Sequence, residues 1–275
     1  MMPTSSWAIA ADNHSFLERI VRDRHHRVQE ARRSLSVEAL RDQAGGRAPA
    51  LDVPSRLAAW PEARRAVIAE IKRRSPSKGS IRPGLDATDV GRTYARNGAF
   101  AISVLTELDH FGGSPAHLAA VRDVVDVPLL YKDFVVDPYQ IWEARAYGAD
   151  LVLLVVAALG EQTAEYVALA REAGLEPLVE VHDGPELDIA LAAGATVVGV
   201  NNRNLKTFTV DRAVGRELLS RIPAGVMAVS ESGLRSSADL DAFAHAGAHA
   251  FLIGETLLTA ADPGKALAEL VGGGT

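Results

Sequence analysis

The sequence predicts an α/β fold, a single (β/α)8 barrel of the TIM type with an N-terminal helical extension. Two patterns lead to this prediction. Five helix-like segments end in Gly-Ala or Gly-Leu and pass directly into an apolar run. Glycine just past a helix end adopts the left-handed conformation easily, so each junction lets the chain turn back into a strand. The runs are also nearly continuous in Val, Ile and Leu, which is typical of parallel strands buried on both faces.

Eight strand candidates follow one another, with a helix-length segment between neighbours. They lie in "VIAEIK" (67–72), "RNGAFAISVL" (96–105), "PLLYKDF" (128–134), "AYGADLVLLVV" (146–156), "REAGLEPLVEV" (171–181), "LAAGATVVGVN" (191–201), "GVMAVSES" (225–232) and "AHAGAHAFLIG" (244–254). Strands that alternate with helices form parallel sheets, and eight such units predict a closed barrel. An open doubly wound sheet is the alternative, but its G-x-G-x-x-G fingerprint does not follow the first strand.

Residues 1–61 fall outside the repeat and are predicted to form a helical extension, packed on a barrel that spans residues 62–275. A first helix is indicated by apolar side chains at helical spacing among arginines, namely Leu17, Ile20, Val21 and Val28. A second helix is expected to start at Ser36, and "AGGRAPALDVPS" (44–55) is interpreted as a connection. We expect the first dozen residues and the final "GGGT" to be mobile.

The composition narrows the classes of function. A net charge of −6 and an isoelectric point near 5.8 argue against a general nucleic-acid-binding protein. The absence of cysteine excludes disulfides and thiol catalysis, and the eight histidines show no metal-binding spacing, so no metal is expected. No apolar run approaches the roughly 18 residues of a membrane span, so we expect a cytoplasmic protein without a membrane partner. A monomer is favoured, although one sequence carries no clear signal of oligomeric state.

Reactive side chains gather where the predicted strands end, which is where barrels of this type carry their active sites. These residues are Lys72, Lys132, Glu180, Asn201, Glu231 and Ser232. Glu70 shares a strand face with Lys72, because successive side chains point to opposite faces. A structural ion pair is the alternative interpretation of those two. Lysines and carboxylates that meet in one cavity would supply proton donors and acceptors. We expect at least one of Lys72 and Lys132 to have a lowered pKa.

Glycines after the last two strands indicate a phosphate site. Gly233 and Gly254 follow strands seven and eight, where such barrels often bind phosphate through loop N–H groups. Arg203 and Lys72 would add positive charge to an anion site. The predicted ligand is therefore a small phosphorylated molecule.

Two phenylalanines and one loop would complete the pocket. Phe134 has the strand parity of Lys132, and Phe111 lies in the loop after strand two, so both could pack against a flat ring. The loop "RRSPSKG" (73–79) is expected to close over the ligand, with Gly79 available as a hinge.

Together, these motifs resemble those of the indole-3-glycerol phosphate synthase family of tryptophan biosynthesis. The resemblance covers residues 14–270 and rests on "IAEIKRRSPSKG", "LTELDHFGGS", "LLYKDFVVDPYQI", "LVEVH", "VNNRNLKTF", "SESG" and "LIGE", in the family's order. It implies that 1-(2-carboxyphenylamino)-1-deoxyribulose 5-phosphate is cyclised with loss of carbon dioxide and water. No cofactor is implied.

The resemblance also implies roles for residues of this chain. The catalytic set falls on Glu70, Lys72, Lys132, Glu180, Asn201 and Ser232. The substrate-binding set falls on Ser75, Phe111, Phe134, Arg203, Glu231, Gly233 and Gly254. For this chemistry Lys132 is the expected general acid and Glu180 the expected base. Some relatives carry a small hydroxyl residue where this chain has Glu255, which is left out of the predicted site.

Three other functions stay open from the sequence. Lys132 at the end of an apolar strand would also suit a Schiff-base aldolase. A second alternative is an isomerase that acts on phosphoribosylanthranilate, a neighbouring reaction carried out on a similar barrel. A non-catalytic sensor of a phosphorylated ligand would have lost proton-transfer residues, whereas all of them are present here.

Overall fold

Eight parallel strands close into a barrel in the computed structural model, which describes residues 15–76, 79–82, 84–205 and 207–272. The strands are β1 (Ala66–Ile71), β2 (Ala101–Leu105), β3 (Leu129–Lys132), β4 (Leu151–Val155), β5 (Glu176–Val181), β6 (Val197–Asn201), β7 (Met227–Glu231) and β8 (Ala250–Ile253). The first strand pairs with both the second and the last, so the sheet closes on itself. The predicted (β/α)8 barrel is confirmed.

Helices surround this barrel and also precede it. They are α1 (Phe16–Ser34), α2 (Val37–Gly45), α3 (Val53–Ala58), α4 (Ala87–Arg96), α5 (Pro115–Arg122), α6 (Pro138–Ala146), α7 (Val156–Leu159), α8 (Thr163–Glu172), α9 (Gly184–Ala192), α10 (Arg212–Arg221), α11 (Ser237–His245), α12 (Glu255–Leu258) and α13 (Pro263–Val271). A short antiparallel hairpin pairs Arg74–Ser75 with Gly79–Ser80. Among the described helices, none is both long and apolar enough to span a membrane.

Local sequence explains where the barrel helices begin and end. An Asp or Ser side chain caps the start of α4, α5, α6, α9, α10, α11 and α13 by accepting a backbone hydrogen bond from the first turn. The five junction glycines all have positive φ, between 75° at Gly194 and 110° at Gly247. The predicted left-handed junctions between helix and strand are therefore confirmed.

Side chains of the strands separate into two cores. In β1, Val67, Ala69 and Ile71 belong to the core between the barrel and its helices, whereas Ile68 belongs to the core inside the barrel. This alternation leaves Glu70 on the inner face, as strand parity predicted.

The N-terminal helices wrap the barrel from its mouth to its base. Phe16 of α1 lines the cavity at the mouth, and Leu40 of α2 packs with Tyr139 of α6 on the side. At the base, Trp60 meets Phe100 edge-on with ring centroids 5.2 Å apart. Division of the chain into an extension (1–61) and a barrel (62–275) stays a prediction.

Residues 44–55 were expected to form a connection. They contain the end of α2 and the start of α3, so that interpretation was wrong. Asp52 caps α3 and Pro54 lies in its first turn, where a missing N–H removes no helical hydrogen bond. The expected mobility of the first dozen residues and of "GGGT" (272–275) concerns positions outside the described residues, except for Gly272, which directly follows α13.

A buried ion pair joins α1 to the site-bearing end of the barrel. Arg24 lies with its Nε 2.9 Å from Asp133 Oδ1, and both side chains are almost fully buried. Asp133 directly follows Lys132 and also accepts hydrogen bonds from the Thr106 hydroxyl and the Phe134 N–H. Helix α1 is thereby tied to the loop after β3.

We predict that Arg24→Met lowers the free energy of unfolding by about 3–5 kcal/mol, because Asp133 is left buried without its cation. Arg92→Met is the matched control, since Arg92 pairs with Asp89 on the exposed face of α4 and such pairs contribute less than about 1 kcal/mol. Urea unfolding at pH 7 measures both values. Equal losses for the two variants would contradict the structural role of Arg24.

Candidate active site at the mouth of the barrel

A cavity of about 720 Å³ opens at the carboxyl ends of the strands. Its lining includes every residue that the sequence nominated: Glu70, Lys72, Ser75, Phe111, Lys132, Phe134, Glu180, Asn201, Arg203, Glu231, Ser232, Gly233 and Gly254. The volume lies within the range usual for small-molecule sites. The structure thus brings the whole predicted set around one space.

Four alternate strands each contribute a charged side chain to one layer of this cavity. They are Glu70 from β1, Lys132 from β3, Glu180 from β5 and Glu231 from β7. Barrels of this type fill their interior in such layers, with members drawn from odd or from even strands. Here the uppermost layer is ionic, and the layers beneath it are apolar.

Glu70 and Lys72 form a close ion pair at the top of β1. Lys72 Nζ donates a 2.6 Å hydrogen bond to Glu70 Oε1. Burial opposes ionisation of Glu70, but the ammonium groups of Lys72 and Lys132 outweigh it and lower the pKa of Glu70. Glu70 is therefore a carboxylate that holds Lys72 at the cavity wall.

Gly254 makes room for this pair. A Cβ at position 254 would lie 2.6 Å from Glu70 Oε1 and 3.1 Å from Lys72 Nζ. The sequence explained this glycine only through phosphate binding, whereas the structure shows a second reason for it. Only a residue without a side chain lets β8 end so close to the ion pair.

Lys132 lies between two carboxylates. Its Nζ is 3.4 Å from Glu180 Oε2 and 3.9 Å from Glu231 Oε2. Burial alone would lower the pKa of Lys132, but the carboxylates of Glu180, Glu231 and Glu70 outweigh burial and raise it. The expected lowering is therefore wrong for Lys132, because three acidic groups surround the buried amine. Lys132 is an ammonium at neutral pH.

Glu180 and Glu231 face the same cation but titrate in opposite directions. Burial raises the pKa of both carboxyls. For Glu180, Lys132 and then His182 reverse this effect and lower the pKa. For Glu231, the charge of Glu180 adds to burial and holds the pKa well above its usual range. The surroundings thus favour the ionised form of Glu180 and the protonated form of Glu231.

His182 contacts Glu180 from outside the cavity lining, a contact that the sequence analysis missed. Its Nε2 lies 3.3 Å from Glu180 Oε1, in the geometry of an ion pair, and its Nδ1 lies 3.0 Å from Glu186 Oε2. Burial lowers the pKa of His182, but the two carboxylates outweigh burial and raise the pKa to about 10. The sequence "EVH" (180–182) predicts this contact, because Glu180 and His182 are two residues apart and so lie on the same face of the strand.

The turn after β7, which lines the cavity, has a left-handed backbone conformation. Ser232 has φ 67° and Gly233 has φ 76°. Arg203 donates from Nη1 to the backbone oxygen of Phe208, 3.1 Å away, and also lines the cavity. Glu255, which was left out of the predicted site, is partly buried and contributes to the same lining.

Aromatic rings form the remaining wall. Phe111 and Phe134 lie with centroids 6.5 Å apart, as the sequence suggested for a flat ligand. Phe16 and Phe208, which were not predicted, add an edge-on pair with centroids 4.8 Å apart. Phe16 belongs to α1, so the N-terminal extension supplies part of the pocket.

A buried glutamate fixes the loop that carries Phe111. Glu107 accepts hydrogen bonds from the backbone N–H groups of Asp109, His110 and Phe111, at 2.7–2.9 Å. Glu107 is fully buried and was also missed, because no strand parity or charge pattern singles it out.

The loop over residues 73–79 is described only in part. Ser75 is buried at the cavity, and the Arg74 N–H donates to Phe111 O. Residues 77 and 78 lie outside the described residues, so closure of this loop over a ligand stays a prediction. Within the described ranges no three acidic or histidine side chains are grouped as metal ligands. The expected absence of a metal and of a cofactor also stays a prediction.

Comparison with known proteins identifies similar sequences over nearly the whole chain. The family model described as indole-3-glycerol phosphate synthase matches residues 17–270. The enzyme of that name from Carboxydothermus hydrogenoformans is 45% identical over 93% of this chain and 99% of its own length. The enzyme from Arthrobacter sp. is 49% identical over 90% of this chain and 92% of its own length. One from Streptomyces coelicolor is 46% identical over 94% of this chain and 96% of its own length.

More distant solved structures share the fold. A 3-hexulose-6-phosphate synthase superposes with a TM-score of 0.60 at 20% identity, covering 74% of this chain and 97% of its own. A thiamine phosphate pyrophosphorylase from Pyrococcus furiosus superposes with a TM-score of 0.57 at 16% identity. The match covers 80% of this chain and 96% of that structure. At these identities the likeness concerns the barrel alone.

We predict a pH-dependent contribution of His182 to stability. Its folded pKa of about 10 lies above the usual 6.5, so the stabilisation is complete below pH 6.5 and is lost as the pH rises through about 10. The free energy of unfolding of the protein minus that of His182→Gln should shrink over this range. Denaturant unfolding at several pH values measures it. His25→Gln, an exposed imidazole of α1, controls for loss of a histidine. A difference independent of pH would show that His182 is not a buried cation.

Proposed function

The chain belongs to the indole-3-glycerol phosphate synthase family, and we propose that the side chains at its barrel mouth carry out that family's reaction. In this reaction 1-(2-carboxyphenylamino)-1-deoxyribulose 5-phosphate is converted to indole-3-glycerol phosphate, carbon dioxide and water. The enzyme is a carbon–carbon lyase of tryptophan biosynthesis. The observation that carries the residue assignment is the position of Lys132 inside the cavity, with its Nζ 3.4 Å from Glu180 Oε2 and 3.9 Å from Glu231 Oε2.

Lys132 is proposed as the general acid of ring closure. The ring carbon that bears the carboxylate attacks the ketone carbon, forming the new carbon–carbon bond while the carbonyl π electrons move to oxygen. A positioned proton donor is needed at that oxygen. The raised pKa of Lys132 supports this role, because the amine carries its proton before substrate arrives.

Lys72 is proposed to orient the substrate carboxylate. Its ammonium is held by Glu70 at the wall of the cavity, and an anchored cation aligns the carboxylate for attack. Breaking the bond between ring and carboxylate releases carbon dioxide, and the bonding electrons restore the aromatic ring. Phe111 and Phe134 would pack against that ring.

Glu180 is proposed as the base for the dehydration that follows. The hydroxyl formed in ring closure leaves as water after protonation, and a proton is removed from the adjacent carbon to form the indole double bond. Glu180 is suited to accept that proton because Lys132 and His182 lower its pKa and keep it ionised. Asn201 and Ser232, which line the cavity nearby, would orient the substrate hydroxyls, and protonated Glu231 can donate a hydrogen bond to one of them.

The phosphate is proposed to bind at the turn after β7 and at the end of β8. Gly233 and Gly254 place backbone N–H groups near the cavity, and α12 begins directly after Gly254. Arg203 and Ser75 complete the proposed binding set. The absence of nucleic-acid partners, the monomeric state and the cytoplasmic location stay predictions.

The charge state of Lys132 argues against the Schiff-base alternative. A lysine must lose its proton to attack a carbonyl carbon, and imine-forming lysines have lowered pKa values. Here three carboxyl groups raise the pKa of Lys132. The same site is better suited to donating a proton than to forming a covalent adduct.

We predict that Lys132→Met lowers the rate of indole formation at least about a hundredfold, the usual size of general acid catalysis. Indole fluorescence with the carboxyphenylamino substrate measures the rate. Lys265→Met, an exposed lysine on α13 at the periphery, is the matched control and should leave the rate unchanged. Similar rates for native protein and Lys132→Met would remove Lys132 from the mechanism. Absence of indole product from the native protein would refute the proposed function.

We further predict that Gly254→Ala lowers activity about tenfold or more, because a methyl group would separate Glu70 from Lys72 and misplace the carboxylate anchor. The same fluorescence assay measures the loss, and circular dichroism reports whether the fold is kept. Gly45→Ala is the control, since a Cβ there meets no atom within 4 Å. Full activity of Gly254→Ala would mean that the close contact of β8 with the pair is not required.

A further inference from the structure

The turn after β7, residues 232–234, has a backbone conformation that its surroundings must impose. Ser232 lies in the left-handed region with φ 67°. A residue with a Cβ is strained there, because the Cβ crowds the carbonyl oxygen that follows it. Such strain persists only where neighbouring groups over-determine the conformation. The groups that hold this turn are side chains of other segments.

Three consecutive carbonyl oxygens of the turn each accept a hydrogen bond from a side chain of a different segment. The donors are Asn202 Nδ2 to Ser232 O at 2.9 Å, Arg212 Nη2 to Gly233 O at 2.7 Å, and Thr256 Oγ1 to Leu234 O at 2.7 Å. The C=O and N–H of one trans peptide point in opposite directions. The Ser232 carbonyl is bound by the Asn202 amide, which is not part of the cavity lining, and it therefore turns the Gly233 N–H group away from Asn202.

The turn borders the cavity. Ser232, Gly233 and Leu234 all contribute to its lining. Within the part of the chain that the structure describes, none of the hydrogen bonds is donated by the N–H groups of these three residues. The N–H of Arg235, by contrast, donates to Asp239 Oδ2 at 2.9 Å. Unused backbone donors are thus concentrated at the turn, where they can bind an anion.

Asn202 is the most buried of the three side chains, with 4% of its surface exposed. Its amide also donates to Ser230 Oγ at 3.3 Å, and its backbone N–H donates to Glu231 O. These contacts tie Asn202 to β7 just before the turn. It lies between Asn201 and Arg203, which the sequence analysis selected, but parity directs it away from the cavity.

Two unfavourable features are retained around this amide. Asn202 Oδ1 is buried without a donor among the described residues. Behind it, Gly215 lies within α10, where glycine weakens a helix, and a Cβ there would lie 1.7 Å from Oδ1. Departures of this kind from good packing are expected where a residue serves the site. No contact of Asn202 with the cavity is needed to explain them.

We propose that Asn202 is a positioning residue for the substrate's phosphate, which acts by holding Ser232 left-handed so that the Gly233 N–H group faces the anion. Arg212 holds the next carbonyl, that of Gly233. The inference rests on the proposed function, in which this turn binds phosphate. It assigns to Asn202 a specific effect on phosphate recognition, distinct from support of the fold.

The test compares two substrates and one inhibitor on Asn202→Leu. The kcat/KM for the phosphorylated substrate should fall at least about tenfold, since charge-assisted hydrogen bonds are lost. The kcat/KM for the same compound without its phosphate should stay within about threefold, because that reaction never used the turn. Inhibition by inorganic phosphate should weaken at least about tenfold in parallel. Asn97→Leu is the matched control, since its amide also donates to a backbone carbonyl, that of Thr93, at the opposite end of the barrel.

A parallel fall for both substrates leaves the ratio of the two kcat/KM values unchanged and would overturn the proposal, because Asn202 would then support the fold in general. Asn202→Ala, which removes the amide without adding an apolar branch, gives a second measurement if Asn202→Leu does not fold, with the same change in ratio expected. If the native protein forms no indole product, the proposed function fails. Binding of inorganic phosphate to the native protein and to Asn202→Leu, measured by calorimetry, then still tests the role of Asn202.

Discussion

The balance of buried charge around Lys132 is the constraint on which the rest of the site depends. Cations and carboxylates are paired across the barrel mouth: Lys72 with Glu70, Lys132 with Glu180, and His182 with Glu186 and Glu180. Each buried charge is unfavourable alone, and each is retained because a partner lies within 4 Å. The charge of Glu180 raises the pKa of the neighbouring Glu231, which favours its neutral form. The charges of the site are therefore balanced without a bound substrate.

The barrel makes this pairing possible because alternate strands place their inner side chains at the same height. Helix α1 and the loops outside the barrel then fix the walls. Glu107 holds the Phe111 loop, Arg24 holds the loop after β3, and Arg27 binds Asp109 through two nitrogens at 2.7 and 3.0 Å. At the turn after β7, the Asn202 amide donates to the Ser232 carbonyl from outside the cavity lining. Arg24, Arg27 and Asn202, which do not line the cavity, thus help to hold the groups that do.

Much of this arrangement could be predicted from the sequence, and the errors have physical causes. Strand parity placed Glu70 with Lys72, and the carboxyl ends of the strands indicated where the reactive groups meet. The start of α3 was missed because Pro54 was treated as a breaker, although it lies in the first helical turn. The pKa of Lys132 was misjudged because its direction depends on how many carboxylates come within a few ångströms, which spacing along the chain does not reveal.

By itself, the sequence determined the periodic features of this protein. The order of strands and helices, the left-handed glycine junctions and the ring of reactive residues all follow from local patterns that one segment carries alone. Only the tertiary structure decided which carboxyl is ionised, why Gly254 must lack a side chain, and which buried amide orients the turn after β7. These properties depend on distances between groups far apart in the chain, and only the closed barrel brings such groups together.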